Sequence, residues 1–201
     1  MKKMMMMLIM ATVALTASAQ NTLRENGTFT IQPKVGIGFG ILSGKWVSGA
    51  DESNKARTGF IAGVEGEYYA KEWLGIAAGV NYAQQGWKFE GGGTSATTKL
   101  DYLNIPVTAN FYVAKGFALK TGLQFGFLMN AKEEGVDIKN NCEKFNLSIP
   151  IGASYEMSNF VLDFRYNISV TKSNKYNRSA YDEDKMRSDL IQITLGYKFA
   201  L

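Results

Sequence analysis

Hydrophobic and polar residues alternate along most of this chain with a period of two. That period marks β-strands, because successive side chains on a strand point to opposite faces. In the first segment Phe29, Ile31, Val35, Ile37, Phe39 and Ile41 are interleaved with Thr30, Gln32, Lys34, Gly36, Gly38 and Gly40. In the second, about 58–70, Phe60, Ala62, Val64 and Tyr68 oppose Gly63, Glu65 and Glu67. The third, 73 to about 87, sets Leu74, Ile76, Ala78, Val80 and Tyr82 against Gly75, Gly79, Asn81 and Gln85. The fourth, 99–113, sets Leu103, Ile105, Val107, Ala109, Phe111 and Val113 against Asn104, Thr108 and Asn110.

Four more segments follow the same rule. Phe117, Leu119, Leu123, Phe125, Phe127 and Met129 alternate with Lys120, Gly122, Gln124 and Gly126. Phe145, Leu147, Ile149, Ile151 and Tyr155 alternate with Asn146, Ser148, Gly152 and Ser154. Phe160, Leu162, Phe164, Tyr166, Ile168 and Val170 alternate with Asp163, Arg165, Asn167 and Ser169. Ile191, Ile193, Leu195, Tyr197, Phe199 and Leu201 alternate with Gln192, Thr194, Gly196 and Lys198.

The connections alternate too. Long polar stretches are expected at 43–57, 88–98, 132–143 and 172–187, and short ones at 71–72, 114–116 and 157–159. Short turns at one end and long loops at the other, with an even strand count, predict an all-β fold: an eight-stranded antiparallel up-and-down transmembrane β-barrel. The same alternation fits a soluble, lipocalin-like periplasmic barrel with its apolar face inward. Composition favours the membrane form. The polar face is rich in Gly, Asn, Thr and Ser and carries few charges, which suits a crowded interior better than a watery exterior. Aromatic residues also gather near strand ends. Tyr68, Trp73, Phe111, Phe117, Tyr155, Phe160, Tyr197 and Phe199 lie near the short turns, and Trp46, Tyr82, Trp87, Phe127 and Phe145 near the long loops. Two such girdles are expected at membrane interfaces. Pro106 and Pro150, each after an Ile, are expected at bulges or strained corners, since Pro offers no ladder donor.

The N-terminus predicts export. Lys2 and Lys3 precede an uncharged apolar run from Met4 to Leu15, and Ala17-Ser18-Ala19 supplies small residues ahead of Gln20. This is the pattern of a secretory signal peptide. Residues 1–19 are expected to be removed near Ala19/Gln20, leaving 20–201 as one outer-membrane barrel domain. The formal net charge of +4 then loses Lys2 and Lys3. So weak a basicity, without a concentrated basic face, argues against nucleic acid as a partner. Cys142 is the single cysteine and has no intramolecular disulfide partner.

Seven charges fall on the polar face: Lys34, Glu65, Glu67, Lys120, Asp163, Arg165 and Lys198. An eight-stranded barrel is just wide enough for its own side chains. Charges buried there must pair or cost several kcal/mol. An interior network that plugs the lumen is therefore expected, with a narrow ion or solute pore as the alternative. Catalysis is not expected. The chain has no His, which removes Ser-His-Asp, Cys-His and His-based zinc chemistry together. Asp182-Glu183-Asp184 reads as solvated loop charge and lacks the ligand spacing of a calcium loop. No cofactor and no metal site is expected. In the last loop Lys172, Lys175, Arg178, Lys185 and Arg187 mingle with Tyr176 and Tyr181. That surface is a candidate for contact with lipopolysaccharide phosphates or with an extracellular or periplasmic protein.

The stretch LDYLNIPVTANFYVAKGFALKTGLQFGFLMNAK, residues 100–132, resembles the middle of the PorT-type outer-membrane β-barrel family, most closely at Tyr102-Leu103-Asn104-Ile105-Pro106. Residues 145–171 resemble that family's next hairpin. Gly196, Phe199 and Leu201 resemble the C-terminal signal read by the barrel-assembly machinery during insertion. The resemblance implies a small eight-stranded barrel in the outer membrane of a Gram-negative bacterium, in contact with outer-membrane lipid. One namesake supports protein secretion, but no motif here carries that role. The expected function is structural or surface-interacting, through the long loops.

Overall fold

The computed structural model describes residues 25–43, 53–91, 94–171 and 187–201. The signal segment, Trp46 and loop residues 172–186 lie outside the described residues. Eight long strands follow in chain order: β1 Phe29–Ser43, β2 Ser53–Lys71, β3 Leu74–Gly91, β4 Thr94–Ala114, β5 Phe117–Glu133, β6 Phe145–Met157, β7 Phe160–Ser169 and β8 Arg187–Tyr197, continued by Phe199–Ala200. Each pairs antiparallel with the next. β1 also pairs with β8, from Lys34↔Gly196 to Ser43↔Arg187, and resumes at Ile31↔Phe199 and Thr30↔Ala200. The sheet is thus a closed eight-stranded barrel.

The apolar faces point outward. Val64, Val80, Leu119, Leu123, Phe164 and Leu195 are exposed, whereas Gln32, Glu65, Asn104, Lys120, Arg165 and Thr194 are buried. This orientation rules out the lipocalin-like arrangement, in which the apolar face would be inside. Along β3, the outward row from Leu74 to Tyr82 rises about 21 Å at a strand tilt of roughly 40°. That nearly fills the apolar band of about 25 Å expected of an outer-membrane barrel. At the short-turn end Trp73 stacks on Phe111 at 6.5 Å, and Tyr197 meets Phe160 at 5.1 Å and Phe199 at 4.8 Å. At the long-loop end Phe127 packs edge-on to Phe145 at 5.7 Å.

Four expectations need correction. First, 88–98 is no loop. β3 and β4 stay paired to Gly91↔Thr94, so the stretch is the tip of a tall hairpin. Beyond the apolar band outward positions no longer face lipid, and the sequence turns polar without losing its β-branched Thr residues. Residues 53–57 likewise belong to β2, and Arg187 opens β8 opposite Ser43. Second, 132–143 is not featureless: Val136–Asp137 pairs back onto β5, and a short 3-10 turn spans Lys139–Asn141. Third, Trp87 does not face lipid. It shares parity with Asn81 and Gln85, lies opposite buried Thr98, and packs against an internal cluster. Height alone had placed it in the girdle, but a strand's parity sets the face. Fourth, Pro106 and Pro150 do not shift register. The ladder skips beside each and resumes in step, between Ala78↔Val107 and Asn81↔Asn104 and between Thr121↔Ile151 and Gln124↔Ser148. The register shifts occur elsewhere, as between Ala56/Ile61 and Asp101/Tyr102.

Candidate functional site

The interior is built in layers. Nearest the short turns, β2, β4, β6 and β8 each send polar groups to the axis. Lys198 Nζ on β8 lies 2.8 Å from Glu67 Oε2 on β2 and also pairs with Glu156 on β6. It donates to the Tyr69 hydroxyl at 2.8 Å and to the Tyr112 hydroxyl at 2.9 Å. The Tyr112 hydroxyl lies 2.9 Å from Glu67 Oε1 and 3.0 Å from Glu156 Oε1 and gives its single proton to one of them, and Asn110 Nδ2 donates to Glu67 at 2.7 Å. Tyr69 and Tyr112 rings stand 5.6 Å apart. Lys198 sits 5.4 Å from each ring centroid.

The next layer comes from β1, β5 and β7 with one residue of β2. Arg165 reaches Glu65 through both terminal nitrogens, each at 2.7 Å. The same guanidinium donates to Asp163 Oδ2 at 2.9 Å, and Lys120 Nζ meets that oxygen at 2.6 Å. Lys34 pairs with Glu65. A planar guanidinium suits this place because its fork engages two carboxylates at fixed angles. The opposite wall makes room. A Cβ on Gly75 would overlap the Glu67 carboxylate, and one on Gly79 would crowd Glu65.

Toward the long-loop end the interior changes chemistry. Amides and hydroxyls come first: Gln124 Nε2 donates to Ser148 at 3.3 Å, and Thr171 donates to Asn146 Oδ1 at 2.8 Å. Asp189 accepts from Ser43 at 2.7 Å, from the Tyr166 hydroxyl at 2.8 Å and from the Ser169 N–H at 2.8 Å. Apolar groups then close the top. Ile61, Ala83 and Leu190 form one cluster, and Leu100, Tyr102, Leu128, Ala131 and Cys142 form another beneath Trp87 and Ile138.

All seven charges read from the sequence, Lys34, Glu65, Glu67, Lys120, Asp163, Arg165 and Lys198, are therefore buried and paired. Glu156 was missed, together with Tyr69, Tyr112 and Asp189. Parity would have found Glu156, since Tyr155 holds the apolar face. With it, four cations face four carboxylates. The loop candidates Lys172, Lys175, Tyr176, Arg178, Tyr181 and Lys185 lie outside the described residues, and Arg187 is in β8. Gly196 faces inward against Gln32, Phe199 pairs with Ile31, and the Leu201 N–H donates to the Phe29 carbonyl at 2.9 Å. Among the described residues no group of His, Cys, Asp and Glu is placed to hold a metal ion.

The profile of one family, described as "Outer membrane protein beta-barrel domain", matches residues 18–175. The chain belongs to that family. No curated protein matches the sequence. Among solved structures it resembles Ail, the attachment invasion locus protein of Yersinia pestis, in complex with the heparin analogue sucrose octasulfate. That match has 18% identity and a TM-score of 0.52, covering 87% of this chain and 99% of the other. It also resembles the Neisserial surface protein NspA, with 18% identity and a TM-score of 0.52, over 85% of this chain and 97% of that one. At such identities the likeness shows the fold, an outer-membrane barrel.

Proposed function

We propose that this chain is a non-conducting, non-catalytic outer-membrane barrel that acts as a structural or surface-interaction protein through its long-loop end. The observation that carries the reading is the lumen itself. Lys34, Lys120, Arg165 and Lys198 meet Glu65, Glu67, Glu156 and Asp163 in two layers, with apolar clusters above them. An ion entering such a lumen would have to break buried pairs, each costing about 3–5 kcal/mol. In planar bilayers the folded protein should give no steady channels. Stable, reproducible openings would replace this reading with the narrow pore.

The short turns and the described C-terminal end of the chain lie at one end of the barrel, which we assign to the periplasm. A tag inserted in the 44–52 segment should then be accessible to antibody on intact cells. The mature chain should begin at Gln20 when its N-terminus is sequenced. The residues resembling an assembly signal, Gly196, Phe199 and Leu201, support insertion by the barrel-assembly machinery. The finer assignment to the PorT-type group rests on residues 100–132 and 145–171, and no secretion role comes with it. Lipopolysaccharide and an extracellular protein are the proposed partners at the loop end.

A further inference from the structure

Two layers of full charge stack inside the barrel, and the wall between them carries uncharged polar side chains. On β6, Ser154 is the inward residue next to Glu156 on the long-loop side. On β8, Thr194 lies two inward positions from Lys198 in the same direction. On β1, Gln32 is the inward residue next to Lys34 on the short-turn side. All three therefore stand between the Lys198 layer and the Arg165 layer.

The ladders bring them together. Ser154 is directly opposite Asp163 on β7, and Asp163 is directly opposite Thr194. Gln32 reaches the same strip from β1. A Cβ on Gly196, the inward position between Thr194 and Lys198, would lie 2.4 Å from Gln32 Nε2. Opposed residues have Cβ atoms about 4.5–5.5 Å apart, and same-face neighbours along a strand are about 6.6 Å apart. The three side chains thus line one strip running over β6, β7, β8 and β1.

Their polar ends are unpaired. Among the described residues Ser154 Oγ, Thr194 Oγ1 and Gln32 Nε2 have no hydrogen-bond partner, nor does Thr30 Oγ1 one inward position further along β1. Yet Gln32 is only 3% exposed, Ser154 2% and Thr194 1%. Leaving a buried donor or acceptor unpaired costs more than a hydrogen bond usually contributes, so such groups are nearly always satisfied by protein or by ordered water.

The chemistry of the strip selects the ligand. Gln32 offers an N–H, and each hydroxyl both donates and accepts. The four cations and four carboxylates of the flanking layers cancel, so neither sign of ion is drawn in. A bare cation would leave the Gln32 N–H unmet, and an anion would sit against the Asp163 carboxylate. Water gives and accepts, and a buried water typically makes about three hydrogen bonds.

We infer that this strip binds ordered water, held by Gln32, Ser154 and Thr194, which ties the two charged layers into one network. The plug is then wet inside while closed to ions. The inference rests on the closed lumen proposed above, which bilayer recordings test separately.

The test is a crystal structure of the full mature barrel, grown in lipid, at a resolution that shows ordered water. Water should lie within hydrogen-bond distance of Ser154 Oγ and Thr194 Oγ1. Crystals grown in bromide should show no anomalous peak there; such a peak would mark an anion site and overturn the proposal. Ser154→Ala/Thr194→Val removes both hydroxyls with little change of volume. It should lower the folding equilibrium constant about ten-fold in urea unfolding from lipid vesicles, because the water loses two partners. Thr194→Ser, which keeps its hydroxyl, should lose markedly less. Retained heat-modifiable gel mobility shows that each variant is folded. Hydroxyls packed in a dry wall, or a double variant at least as stable as wild type, would overturn the inference.

Discussion

Lys198 Nζ lies 2.9 Å from the Tyr112 hydroxyl, although β8 and β4 stand on opposite sides of the barrel. One short contact therefore spans the lumen. It is flanked by Glu67 and Glu156, which share the same ammonium. Replacing it by Lys198→Met should leave two buried carboxylates without their cation and destabilise the barrel by about 3–5 kcal/mol. Urea unfolding in lipid vesicles reads this directly. Lys115→Met, at an exposed turn, should stay within about 0.5 kcal/mol of wild type.

Arg165 joins Glu65 and Asp163 through a planar fork, so charge alone does not replace it. Arg165→Lys should cost about 1–3 kcal/mol in the same assay, because a point charge cannot make the paired contacts. Arg165→Ala should cost more and also open a leak in planar bilayers, since the widest buried side chain at mid-barrel is removed. A silent, fully stable Ala variant would contradict the packing described above.

Gly75 is set by its neighbour. Gly75→Ala puts a Cβ into the Glu67 carboxylate, and overpacking of this kind costs about 1–3 kcal/mol. In a Glu67→Ala background the same change should cost far less. The double-mutant cycle measures that coupling, and additive costs would show that the two positions are independent.

The outward face should respond by depth. Leu123, opposite Val107 near the middle of the apolar band, should lose about 2–4 kcal/mol on Leu123→Arg. Met129→Arg, near the long-loop rim beside Lys139, should lose no more than about 1 kcal/mol. Equal costs at the two positions would place the bilayer elsewhere on the barrel.

Cys142 is 8% exposed beneath Trp87 and Ile138. A burial of that kind keeps a thiol inert. A water-soluble maleimide should label it slowly in the folded barrel and readily in urea. Trp87→Ala should speed the folded-state reaction; labelling of wild type at the unfolded rate would show that the cluster does not cover the thiol.

Much of this was legible in the chain itself. Within the eight alternating segments the period of two assigned each residue a face, and the small, sparsely charged polar face told inside from outside. Burial of Lys34, Glu65, Lys120 and Arg165 followed from parity alone. Applied consistently, parity also places Glu156, which had not been singled out, and Trp87, which height alone had put in the girdle. The loop boundaries were illegible for a different reason. Residues 53–57 and 94–98 belong to strands that continue beyond the apolar band, where outward positions no longer need to be apolar and the alternation that reveals a strand is lost.

What the sequence by itself determined is the strand count, the inward and outward faces, and the need for the interior charges to find partners. Only the tertiary structure decided which partners. Glu65 and Arg165 are a hundred residues apart, and their meeting depends on closure of β1 onto β8, on strand tilt and on register. Those quantities belong to the sheet as a whole. A periodic pattern fixes the face of each residue, whereas the cross-strand neighbour is fixed only once the barrel has a register.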